Sequence, residues 1–147
     1  MYKYFLVLHI VAATVWTGGH LVLAVTILPK ALRRNAPEMV FEFDSGFERI
    51  AIPALLLLVV TGLWLAYRMI PDVSAWFSFE NYVSTLIVTK LTLLALTVAL
   101  AIDARIRIVP NIASDNLKRL AFHIIPVTII SVILVIIGVG FRTGGAF

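Results

Sequence analysis

Three histidines, His9, His20 and His123, and one lysine, Lys90, stand inside long apolar stretches of a 147-residue chain. Ionisable groups are costly in hydrocarbon, so each is a functional candidate by default. His9 and His20 are eleven residues apart. At about 100° and 1.5 Å per residue their rings point within roughly 20° of one another, about 16 Å apart along one helix. Trp16 shares that stripe, seven residues after His9 and four before His20.

Imidazoles from two helices facing one gap are what axial ligation of haem iron requires, and a flat macrocycle fits between bundle helices. On that reading His20 and His123 are the ligand pair for a haem b, His9 is an outer ligand or proton relay, and Trp16 packs on the macrocycle. The same nitrogens suit copper. The chain has no cysteine, which removes iron–sulfur clusters, thiolate zinc sites and cysteine nucleophiles. Its methionines stand at positions 1, 39 and 69, at or beyond the ends of the apolar stretches, so no soft sulfur path for Cu(I) is visible. The plainer alternative is that each imidazole bonds a neighbouring carbonyl or hydroxyl, with Thr14, Thr17, Thr61, Thr97, Thr128 and Ser131 available. Lys90 either snorkels to the headgroups or turns inward toward His9, a haem propionate or an anionic substrate. Glu48, Arg49, Asp103, Arg105 and Arg107 read as a solvated charged rim.

The elements that position these groups follow from composition. Hydrophobic residues make up 61% of the chain and charged residues 14%, with a mean hydropathy of +1.03, which excludes a soluble fold of this size. The apolar blocks predict four transmembrane helices over about 4–28, 50–70, 82–102 and 120–141. Pro29 is expected to end the first and Pro110 to follow the third. The first block is too long for a signal-peptide core, so it is expected to stay in place. Val40, Phe43, Phe47 and Ile50 alternate with Glu38, Glu42, Asp44 and Glu48, predicting a short amphipathic helix over 37–49 on the inner surface. Trp76, Phe77, Phe79 and Tyr82 suit an outer interfacial belt.

Lys30, Arg33, Arg34, Arg49, Arg105, Arg107, Lys118 and Arg119 flank the 1–2 and 3–4 connections, whereas Lys3, Arg68 and Arg142 flank the other side. The positive-inside rule then puts both termini and the 2–3 loop outside, periplasmic in a bacterium. The basic excess is a topology signal rather than a nucleic-acid footprint. The expected fold is an all-α integral membrane protein, one domain over 1–147, forming an antiparallel up-down bundle with helix 1 beside helix 4. Gly18, Gly19 and Gly62 would allow close helix contact, and homo-oligomers stay open.

His9-Ile10, Val15-Trp16-Thr17-Gly18-Gly19, Leu28-Pro29, Phe47-Glu48-Arg49, Thr61-Gly62-Leu63, Thr89-Lys90-Leu91 and Arg105-Ile106-Arg107 before Pro110 together resemble the copper resistance protein D (CopD) family. The resemblance implies a bacterial inner-membrane protein linked to copper import or homeostasis, with weight on His9, Trp16 and Lys90. A more distant resemblance is to HemJ-type four-helix protoporphyrinogen oxidases. Here Thr89 stands where that group has a second His, and Ile124-Ile125 where it has Asn-Glu. Three readings stay open: a haem b protein moving electrons in the membrane to or from an unnamed redox partner, in effect a membrane haem oxidoreductase; a haem-free copper transporter using the three histidines as stations; and a structural or assembly subunit.

Overall fold

The computed structural model describes residues 1–108 and 117–144, and Pro110 lies outside them. The described residues form four helices long and apolar enough to cross a membrane, with no strand among them. The chain enters as α1 (Tyr2–Val22), passes through a π turn at Leu23–Ile27 and continues as α2 (Leu28–Arg34). Pro29 therefore does not end the first helix as expected. A proline ring clashes with the carbonyl four residues earlier, and the widened π turn lies where that carbonyl, of Val25, has to give way.

The real stop is Asn35, whose left-handed backbone (φ 50°, ψ 42°) turns the chain. Asparagine tolerates that region better than most residues, and the Ala36 N–H closes the end on the Ala31 carbonyl at 3.0 Å. Pro37 then opens α3 (Glu38–Met69), one continuous helix of 32 residues. The amphipathic segment expected as a separate surface helix is thus the first third of α3. Most of its apolar face is taken up by protein: Val40 is buried with Leu23, Leu28, Ala31, Ile108, Leu117, Leu120 and Ile124, and Phe43 packs against them, while Ile50 stays exposed. At 1.5 Å per residue α3 is about 48 Å long, well beyond a hydrocarbon core of about 30 Å. The α1–α2 and α3 hairpin accordingly extends past the membrane at the connection end, where Lys30, Arg33 and Arg34 meet solvent. Pro53 stands inside α3.

A short helical turn at Ser74–Phe77 links α3 to α4 (Tyr82–Asp103), which Asn81 caps by accepting the Ser84 N–H at 2.8 Å. Ahead of that turn, the Asp72 carboxyl is held below its ordinary range by the hydroxyl and backbone N–H of Ser74. Trp76 departs from the expected interfacial belt. It is buried, and its indole N–H donates to the Ile70 carbonyl at 2.8 Å, closing the end of α3, while Phe77, Phe79 and Tyr82 stay exposed. Trp76→Phe keeps an aromatic ring but removes the donor and part of the buried indole's volume, and is expected to lower stability by at least about 1 kcal/mol. Unfolding of the two proteins in the same detergent would show it; coincident transitions would mean that the bond contributes nothing.

A second π turn, Ala104–Ile108, extends α4, and α5 (Leu117–Thr143) returns to the side where the chain began. The helices pack in the order α3, α1, α5, α4, so the first helix does adjoin the fourth. At the connection end Arg105, just after α4, meets Glu48 of α3 at 2.7 Å.

Candidate functional site

α1 is the central helix, and its stripe faces α3. Opposite His9 stands Thr61, almost wholly buried, with Gly62 beside it. A Cβ at Gly62 would come within 3.1 Å of the His9 ring, so glycine lets the imidazole lie against α3. His9 Nδ1 and Thr61 Oγ1 are 2.8 Å apart, and the Thr61 hydroxyl donates its one proton to the Leu57 carbonyl. The hydroxyl can then only accept from His9. With the hydroxyl proton committed to Leu57, a neutral His9 carries its own proton on Nδ1, and no hydrogen bond to Nε2 is found among the described residues.

His20 reaches the same state by a different route. Its Nδ1–H donates to the Trp16 carbonyl at 2.8 Å, again with no hydrogen bond to Nε2 found among the described residues. The ring stands 4.5 Å from the Trp16 ring and 5.5 Å, edge-on, from Phe47 of α3. Gly19 makes that approach possible, because a Cβ there would overlap the Phe47 ring. The His20 backbone is tied to α5, where the Thr128 hydroxyl lies 3.2 Å from its carbonyl.

His123 differs. Nδ1 donates to the Arg119 carbonyl at 3.0 Å and Nε2 faces the Asp103 carboxylate at 2.8 Å, so both nitrogens are engaged and the ring is aimed at α4. Asp103 also holds Arg107 at 3.0 Å, one turn on. His20 and His123, expected to share one gap, thus turn to different neighbours. Among the described residues no three His, Asp or Glu side chains converge as a metal cage. Lys90 runs inward: its Nζ lies 5.5 Å from the Phe141 ring and would be 3.5 Å from a Cβ on Gly138, both on α5. It is also close enough to act electrostatically on His9.

A family model described as copper resistance protein D matches residues 42–141. The chain belongs to the copper resistance protein D family. No curated protein and no solved structure is a match to it. This CopD-family chain is accordingly a multi-pass membrane protein related to copper resistance. Thr61, Lys90, Asp103, Arg105 and His123 fall inside the matched residues, while His9, Trp16 and His20 lie ahead of them on α1.

Sequence reasoning named the three membrane histidines but not their orienting groups. Thr61 stood only among six hydroxyl candidates, because which one meets His9 depends on the register between α1 and α3. The rim reading missed the Asp103–Arg107 pair, although its i,i+4 spacing could have signalled it. The Glu48–Arg105 pair and the His123–Asp103 bond, which turn the supposed rim into links between helices, needed the packing.

Proposed function

We propose that this protein handles copper ions inside the membrane, with His9 and His20 as two separate ligand stations on α1. The observation that carries the reading is that both rings have Nδ1 tied to oxygen, while no hydrogen bond to either Nε2 is found among the described residues. That is the arrangement in which a neighbouring oxygen, accepting from one ring nitrogen, fixes the tautomer of a metal-binding histidine. Neutral imidazole nitrogen is a good ligand for copper. Two stations about 16 Å apart hold an ion loosely enough to pass on, which suits cargo better than a resident metal. In the orientation favoured by the positive-inside rule His9 lies in the periplasmic half of a bacterial inner membrane and His20 in the cytoplasmic half.

A haem b between His20 and His123 fits these residues poorly, since a haem ligand at His123 would have to displace Asp103 from Nε2. Uptake of copper by vesicles carrying the purified protein tests the proposal. His9→Ala and His20→Ala are each expected to lower the rate roughly tenfold or more, in line with losses seen when metal sites are disturbed, while His123→Ala keeps it within about twofold. Unchanged uptake in both α1 variants would sink the reading. A Soret band lost in His20→Ala and in His123→Ala would replace it with haem.

A further inference from the structure

At the end of the bundle that carries the N-terminus, cations and aromatic rings of three helices form one surface. The Arg68 guanidinium of α3 lies 5.9 Å from the Trp64 ring, Trp64 lies 6.4 Å from Tyr2 of α1, and Tyr2 lies 5.5 Å from the Arg142 guanidinium of α5. Phe5 stacks on Trp64 at 4.1 Å and 19°, bracing the row. Arg68 and Arg142 are exposed, as is Lys3 in the first turn of α1. We infer that this face binds the headgroup of an anionic phospholipid, with Arg68 and Arg142 as the phosphate-recognising groups on a shelf formed by Tyr2, Phe5 and Trp64.

Charge complementarity selects this occupant. Among the described residues neither arginine has a carboxylate partner, and Asp72 and Glu80, the acids in the loop at this end, form no ion pair with them. The first turn of α1 has no acidic residue, so the positive end of its dipole adds to the same surface. A guanidinium resting on a ring keeps its planar fork of N–H donors along the edge, available for a bidentate phosphate. Tryptophan and tyrosine sit at headgroup level, which is the depth of the lipid phosphates. A free phosphate would meet the fork but leave the ring shelf wet, whereas a lipid covers both.

Native mass spectrometry of the full chain with equimolar phosphatidylglycerol and phosphatidylcholine tests this. The wild type is expected to retain phosphatidylglycerol preferentially, with the preference falling about fivefold for each arginine replaced in Arg68→Gln and Arg142→Gln, the worth of one surface cation at an anionic leaflet. Arg33→Gln with Arg34→Gln, at the opposite end and away from the ring shelf, is expected to lower it less than Arg68→Gln with Arg142→Gln does, and millimolar inorganic phosphate is expected not to displace the lipid. Preference that survives in the double glutamine variant, that is lost equally in the opposite-end control, or that yields to inorganic phosphate overturns the assignment. Should the glutamine variants not fold, the wild type alone decides. Raising the salt from about 0.1 M to about 1 M shortens the screening length from about 10 Å to about 3 Å and must collapse the preference; persistence overturns it.

Discussion

Gly19→Ala is expected to destabilise the protein by about 1–3 kcal/mol, the usual cost of forcing extra atoms into a packed contact. The methyl group would enter the space filled by the Phe47 ring. Phe47 cannot easily withdraw, because it is buried among Trp16, Ala51 and Val127, stacked 5.7 Å from Phe43 and set edge-on to His20. Gly18 is the internal control: a Cβ there meets nothing within 4 Å, so Gly18→Ala should be neutral or stabilising by up to about 1 kcal/mol through backbone entropy. Unfolding of the three proteins in one detergent gives the comparison. Phe47→Leu added to Gly19→Ala should recover part of the loss. If the two alanine variants behaved alike, close approach of α1 and α3 at Gly19 would not be what holds the hairpin.

That contact also marks where the sequence stops being readable. Four apolar blocks and the bordering cations disclosed four crossings, because hydropathy is a property of each helix alone. The ends were harder. Pro29 reads as a terminator until a π turn is allowed ahead of it, and no local pattern announces one. The 37–49 segment has an apolar face fit for a lipid surface. Whether that face meets lipid or the α2 and α5 residues around Leu28, Ala31 and Leu120 is decided by tertiary packing. Trp76 is similar: an aromatic loop suits the membrane interface, and only the fold of the loop shows its indole turned back on Ile70.

In the site, what one helix fixes was legible and what two helices fix was not. The His9, Trp16 and His20 stripe follows from helical angle; the Asp103–Arg107 pair obeys the same rule but was passed over when both residues were read as a solvated rim. The direction of Lys90, snorkelling or inward, depends on Gly138 and Phe141 of another helix. The pairing of His20 with His123 rested on both facing one gap, and Phe47 and Asp103 draw the two rings apart.

Thr61→Val is expected to weaken copper binding at His9 by about 10–100-fold, the loss typical of removing a ligand's orienting partner. Valine keeps the shape of threonine but cannot accept the Nδ1–H proton, so a buried donor loses its bond, at about 1–3 kcal/mol, or the imidazole shifts its proton to Nε2. Either outcome harms the station: the first releases the ring from its orientation, and the second covers the lone pair that would meet the metal. Thr97→Val separates this from general damage, since Thr97 is equally buried but its hydroxyl donates to the Leu93 carbonyl of its own helix at 2.9 Å. It should leave copper affinity within about twofold, as expected for an independent site. Copper titrations of the His20→Ala background, where His9 is the remaining station, isolate the effect. Equal affinity in Thr61→Val and the parent would mean that Thr61 holds His9 for packing, and that the exposed lone pair is not what the bond secures.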